Sequence, residues 1–403
     1  MSKTETRFDY LDLIRGLAAL QVLGGHLRNF VFQNYHHQLG GTGASLGVAT
    51  KLFYFVTGLG HQSVLIFFAL SGFLVGGKAL SDMLNAQFSW PSYLLRRLTR
   101  LWIVIVPTLL LTLLLDRIGI WLTDGVGYDG RYFELYTSGP NQPPAAIDDS
   151  SRAFFGNVAF LQDIAVPTFG SNSPMWSLAN EFWYYIVFAF AAWLALARLP
   201  MLARIFGFVV LLLSISFLPT SLWEGGAIWA AGAGAAWLSR KPALLRFFTA
   251  RCVRIFAIIL LFGALVIAKA PNIIALGDLG FGIAVACALP IIANFPSLGG
   301  VVARAARASS ELSYTLYLTH FPLLTCIFLS GVAPAKWPPS APAWGIFTVG
   351  MLVAIAWAAA IWWCFERNTD RVYTALARKL LAPPPMVWSR RKTTSACMRG
   401  EES

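Results

Sequence analysis

The sequence predicts an all-α, polytopic integral membrane protein with about ten transmembrane helices and both termini in the cytoplasm. Three observations predict it. The 403 residues are 57% hydrophobic and only 12% charged, with a mean hydropathy of +0.62, whereas soluble domains are about 45–50% apolar and about 25% charged. Ten segments approach the roughly 20 mostly apolar residues that a spanning helix needs. Lys and Arg, which concentrate on the cytoplasmic side of membrane proteins, divide unevenly when those segments are made to alternate across a bilayer: 24 fall on the side of the N-terminus and 7 on the other, which accounts for all 31.

The segments are roughly 11–33, 58–79, 98–118, 176–197, 203–219, 223–239, 253–269, 272–293, 311–331 and 343–365. The first is preceded by acids as well as bases and carries Arg15 and His26 internally. It reads as a retained span rather than a cleaved signal peptide. The connection over about 119–175 is rich in Gly, Pro, Asp and Ser, falls outside, and leads into Ser173-Pro174 as a candidate cover for an external opening. Residues 1–366 form one membrane domain. The region 367–403 reads as a basic, disordered cytoplasmic tail held near anionic lipid, with Pro383-Pro384-Pro385 and Arg390-Arg391-Lys392. The net charge of +12 is therefore a topological signal and not a nucleic-acid footprint. The five cysteines (Cys252, Cys287, Cys326, Cys364 and Cys397) have no paired spacing and read as buried thiols, with neither a disulfide framework nor a metal site.

Ionisable groups inside spans cost several kcal/mol and mark function. In the first span, His26 stands eleven positions after Arg15, about 16 Å along a helix and close to three whole turns. Arg15 then lies near the cytoplasmic face and His26 in the outer half of the bilayer. Arg15 can snorkel to headgroups or face a site. His26 can be a hydrogen-bonded structural histidine or a general base, its pKa lying near physiological pH. Arg97 and Arg100 precede the third span at i and i+3 and share a face. They read either as a positive-inside anchor or as a phosphate-binding pair. Glu181 enters the fourth span from outside, at a depth that could match His26, and can orient an imidazole or serve as a structural partner. Tyr314, Tyr317 and His320 recur every three residues as a polar stripe in the ninth span, and Pro322 frees a backbone carbonyl near His320. Glu366 closes the tenth span as a charge partner for Arg15 or another inner arginine. No Gly-rich phosphate loop, dinucleotide fingerprint or nucleophile elbow is present.

These residues occur in an ordered series. The stretch Tyr10-Leu11-Asp12-Leu13-Ile14-Arg15-Gly16-Leu17-Ala18-Ala19-Leu20 through His26 resembles the signature first helix of membrane acyltransferase family 3. Ser71-Gly72-Phe73-Leu74, Arg96-Arg97-Leu98-Thr99-Arg100, Trp176-Ser177-Leu178 with Glu181, and Ser313-Tyr314 through Tyr317, His320 and Pro322 resemble its later motifs in the same order, over about 8–366. Leu13-Ile14 and Asn180 depart from the usual pattern, and no esterase-like domain is fused C-terminally.

The resemblance implies a multi-pass enzyme of the bacterial inner membrane. It would move an acyl group, acetyl above all, from acyl-CoA on the cytoplasmic side to a hydroxyl of a glycan or glycolipid, such as an exopolysaccharide or lipopolysaccharide, outside. His26 would be the catalytic base and Glu181 its orienting carboxylate. Arg15, Arg97, Arg100, Tyr314, Tyr317 and His320 would serve the acyl-CoA side. The expected partners are membrane lipid, the acyl donor and the glycan, with no metal and no nucleic acid. A transporter or flippase for a lipid-linked or small amphiphilic substrate is the rival reading, because it would use the same buried polar groups as a pathway.

Overall fold

A computed structural model describes residues 8–35, 47–132, 145–216, 218–269, 274–331 and 336–381. The described residues form an all-α protein. The helices are α1 (Asp9–Val31), α2 (Val48–Thr57), α3 (Gly60–Ser71), a π-helical turn (Gly72–Gly76), α4 (Gly77–Leu84), α5 (Trp90–Thr123), α6 (Ser151–Val158), α7 (Trp176–Leu196) and α8 (Met201–Ser216). They continue with α9 (Thr220–Ser239), α10 (Pro242–Thr249), α11 (Arg251–Ala268), α12 (Ile274–Ala293), α13 (Gly300–Gly331), α14 (Ala341–Cys364) and α15 (Thr369–Leu380). Each of the ten predicted segments is helical over most of its described residues.

Six runs are long and apolar enough to cross a bilayer: Gly60–Leu84, Trp90–Thr123, Ser173–Leu196, Arg251–Ala268, Gly300–Gly331 and Ala341–Leu380. The protein is a multi-pass membrane protein. Its outer surface bears this out, because Ile255, Phe256, Ile258, Ile259 and Phe262 on α11 and Leu352 and Val353 on α14 are all exposed. That surface needs lipid as its solvent. Cys252, Cys287 and Cys364 share it, so these thiols are exposed rather than buried as their apolar neighbours suggest; Cys326 is buried, and Cys397 lies outside the described residues.

At the centre α1 packs beside α13, running the same way. Ser310 donates to Asp12 at 2.8 Å, a methyl group at Gly16 would overlap the Ser309 side chain, and further along His26 meets His320. Small residues allow the two backbones to approach this closely. A second close approach involves the π turn. Its first residue, Gly72, lies so near the Trp229 carbonyl that a side chain would collide with it. The turn widens the helix by one residue, a device common at functional sites.

The described part of the segment after α5 is anchored in the bundle. Past α6 the chain turns into the bundle, and Gln162, Ser171 and Asn172 are wholly or almost wholly buried. Asp116 accepts from the Ser171 amide at 2.8 Å and from its hydroxyl at 2.6 Å. Pro322 has no N–H for the carbonyl four residues back, that of Leu318. Asn172 supplies the missing donor through its side-chain amide at 2.9 Å. α7 therefore starts deep in the bundle and not at its rim.

The C-terminal region also departs from expectation. The segment from 369 to 380 is helix α15, whereas a disordered tail is expected from 367. Asp370 in its first turn and Arg378 and Lys379 in its last suit the helix dipole. The Arg96 guanidinium lies 4.1 Å over the Tyr373 ring, which ties α15 to the start of α5. The remainder of the predicted tail lies outside the described residues.

Replacing Asn172 with Leu removes the donor to Leu318 and leaves a buried carbonyl without a partner. Thermal unfolding in detergent micelles is expected to show a loss of about 1–3 kcal/mol relative to wild type.

Candidate active site

Polar side chains inside the bundle gather around two cavities that share no lining residue. The larger, about 1130 Å³, opens at the end where α1 begins. It is lined by Asp12 and Arg15 of α1, by Arg96, Arg97 and Arg100 of α5, and by Glu366 and Tyr373 near the C-terminus. The smaller, about 210 Å³, lies toward the other end of α1 and is lined by Gly25, His26 and Arg28, by His61 at the start of α3, and by Trp176 and Tyr317.

In the larger cavity the arginines divide by partner. Arg100 forms an ion pair with Glu366 at 2.7 Å, and the Glu366 carboxylate also accepts from the backbone and hydroxyl of Thr315. Glu366 is the expected partner of an inner arginine, and that arginine is Arg100. The guanidinium of Arg100 also lies 5.4 Å from the Tyr314 ring centre. Arg97 has no ion pair among the described residues, and its buried Nε has no hydrogen-bond partner; its one contact of note is with the Tyr185 ring at 5.8 Å. Arg15 lies within electrostatic reach of Arg100, Glu181, Tyr185 and Glu366. Of the two arginines that share a face of α5, then, Arg97 is the one free to meet an anion.

In the smaller cavity the key group is a pair of histidines. His26 Nδ1 lies 2.8 Å from His320 Nε2. The rings are almost coplanar, 11° apart, with centres 5.1 Å from each other. This suits a hydrogen bond in the ring plane. His320 is completely buried, and its Nδ1 lies 2.7 Å from the Leu316 carbonyl. A carbonyl only accepts, so His320 Nδ1 carries the proton, and the Nε2 of the neutral ring must accept. His26 therefore donates from Nδ1. This leaves the lone pair of His26 Nε2 uncommitted on a half-buried side chain that lines a cavity.

Two expected placements are corrected. Glu181 is not beside His26. It accepts from Ser71 at 2.6 Å and from Tyr185 at 2.5 Å, and Ser71 accepts in turn from Trp229 at 3.1 Å. The cause is the inserted segment before α7, which starts that helix deep and carries Glu181 to the level of Arg15. Tyr317 and His320 likewise do not stand with Arg97 and Arg100. Tyr317 donates to the Pro174 carbonyl at 2.9 Å, meets Ser177 at 2.8 Å, and lines the smaller cavity. The stripe from Tyr314 to His320 climbs about 9 Å along its helix, enough to run from one cavity to the other.

Four side chains of interest were not read from the sequence. Tyr185 stands at i+4 from Glu181, a spacing that would have revealed it. Arg28 and the pair of His61 with Asp278 come from the ends of helices far apart in sequence, and no local pattern marks them. Among the described residues, no group of three or more His, Cys, Asp or Glu side chains is placed to hold a metal ion.

Comparison with known proteins gives one match: a family model described as an acyltransferase domain covers residues 8–363. No curated protein and no solved structure matches the chain.

The Arg100–Glu366 pair is testable without substrate. A double-mutant cycle with Arg100→Gln and Glu366→Gln, read by thermal unfolding, is expected to give a coupling of about 1–3 kcal/mol. Additive effects would remove the pair from the structural account.

Proposed function

The chain belongs to the acyltransferase 3 family, and on that premise we propose that it transfers an acyl group from acyl-CoA, bound at the Arg97 cavity, to a sugar hydroxyl held beside His26. As a member it is a membrane acyltransferase and an enzyme, which decides against the transporter reading. The donor, the acceptor and the residue roles are our reading. So are the ten spans with both termini in the cytoplasm and the location in a bacterial inner membrane.

The observation that carries the chemistry is the chain from the Leu316 carbonyl through His320 to His26. It fixes the tautomer of His26 and leaves an unprotonated nitrogen on a side chain that lines a cavity large enough for a hydroxyl-bearing group. His26 Nε2 takes the proton of the acceptor hydroxyl as its oxygen bonds to the thioester carbon. The carbon–sulfur bond breaks, the thiolate takes the proton from His26, and CoA leaves as the free thiol. His320 is a positioning residue here, in the role that a carboxylate plays in other dyads. Glu181 belongs to the wall between the cavities, where with Ser71 and Tyr185 it lies within reach of the Arg15 charge.

Arg97 supports the donor side. A buried guanidinium nitrogen without a partner suits a phosphate, which accepts strong charge-assisted hydrogen bonds. The positive-inside bias supports placing that cavity on the cytoplasmic side, where acyl-CoA is made. The separate cavities suit two substrates that enter from opposite faces, with the acyl arm reaching between them.

Four outcomes are expected from purified protein in nanodiscs supplied with acetyl-CoA and a glycoside acceptor. His26→Ala lowers acyl transfer about 10²–10⁴-fold, and near-normal turnover in that variant would overturn the mechanism. His320→Ala lowers kcat by about tenfold or more and shifts the acid limb of the pH–rate profile, because the tautomer of His26 is no longer fixed. Arg97→Ala weakens acyl-CoA binding about 10–100-fold, as expected for loss of a charged hydrogen bond, without lowering the unfolding temperature. Arg100→Ala instead lowers that temperature, because it leaves Glu366 buried and unpaired.

A further inference from the structure

The smaller cavity holds more charge than a neutral sugar would require. Arg28, two residues beyond His26 on α1, lines it as well. Its Nη1 donates to the Tyr54 carbonyl at 3.3 Å and approaches the Thr57 hydroxyl at 3.5 Å, and its Nη2 donates to the Asn29 side chain at 2.7 Å. All of these acceptors are neutral. Among the described residues no carboxylate pairs with Arg28. The nearby acid, Asp278, is buried and already taken, with His61 Nε2 at 2.8 Å and the Gln62 amide at 3.3 Å. Lys269 adds a second cation, donating to the Gly58 carbonyl at 2.5 Å, within electrostatic reach of both Arg28 and Asp278. The site therefore presents an uncompensated guanidinium to a cavity that already holds the candidate base.

A half-buried cation is costly when it has no counter-charge. It is also out of place by topology, since Arg28 and Lys269 lie at the end of the bundle where Lys and Arg are scarce. A ligand that brings its own anion removes the cost. His61 completes the arrangement. The Asp278 carboxylate only accepts, so His61 Nε2 carries a proton, and the Nδ1 of a neutral ring is left as an acceptor on a side chain that lines the cavity. Trp176 and Tyr317 supply aromatic walls. The volume of about 210 Å³ corresponds to about seven waters, the scale of a single sugar ring.

We propose that the acceptor is an anionic sugar whose carboxylate or phosphate is held by Arg28, with His61 accepting a hydrogen bond from a ring hydroxyl. The inference rests on the reading of this cavity as the acceptor site. It adds the chemical class of the acceptor and two specificity residues, Arg28 and His61. Arg28 grips a fixed charge and so sets which hydroxyl of the ring comes to His26 Nε2.

Binding, measured apart from turnover, tests it. Calorimetric titrations of the protein in nanodiscs would compare methyl glucuronide, glucose 6-phosphate and the neutral methyl glucoside. The same titrations on His26→Ala, which cannot turn over, keep binding separate from chemistry. At least one anionic sugar is expected to bind about tenfold or more tightly than the glucoside, a difference of about 1.4 kcal/mol, in wild type and in His26→Ala alike. The tighter of the two anions identifies carboxylate or phosphate as the recognised group. Arg28→Gln is expected to bring all three affinities together, and Arg28→Lys to keep part of the preference. Equal affinities in wild type, no binding of any sugar, or a preference that survives Arg28→Gln would each overturn the proposal. Preserved anion binding with no transfer from acetyl-CoA would instead overturn the acyl-transfer reading and leave the anion site standing.

Discussion

The packing of α1 against α13 is the contact on which the rest of the site depends. Gly16 allows the two helices to come together, and the hydrogen bond between Asp12 and Ser310 sets their register near one end. Once that register is set, His26 is delivered to His320 about three turns further on. The coupling is rigid because each link is directional. The Leu316 carbonyl fixes His320, and His320 fixes His26. A slip of one residue between the helices would turn the two imidazoles apart, and no flexible side chain could make up the difference.

The wall between the two cavities follows from a second constraint, the proline in α13. Pro322 leaves the Leu318 carbonyl without its helical donor, and in a bilayer core such a group cannot turn to water. The protein meets the need with Asn172, from a segment folded inward after α6. The insertion sets where α7 begins and so places Ser177 against Tyr317 and Glu181 against Ser71 and Tyr185. One missing N–H on one helix thus determines the position of a carboxylate on another. The outcome is two chemically distinct chambers, one lined by a cluster of arginines and one by two histidines with a single arginine, Arg28.

The sequence was sufficient wherever the signal is local and periodic. Apolar runs of bilayer length gave all ten helical segments. The i, i+3 spacing put Arg97 and Arg100 on one face, and the position of Glu366 marked it as a partner for an inner arginine. The ordered series of short motifs pointed to the family. Extent was less legible, because helix ends depend on contacts that a hydropathy window does not contain. α5 begins eight residues before the predicted span, and α15 forms where a disordered tail is expected, held in part by Arg96 over Tyr373.

What the sequence by itself determined is therefore the solvent of this protein and the list of groups too costly to bury without purpose: Arg15, His26, Arg97, Arg100, Glu181, His320 and Glu366. Tertiary structure alone decided who meets whom. It gave His26 a histidine as its partner where a carboxylate was expected, gave Arg100 to Glu366, and left Arg97 and Arg28, at opposite ends of the bundle, with no ion pair among the described residues. The reason is physical. Burial cost is a property of one residue in its own helix and can be read along the chain. Pairing depends on helix register and on the depth of an inserted segment, which are set by contacts between residues hundreds of positions apart.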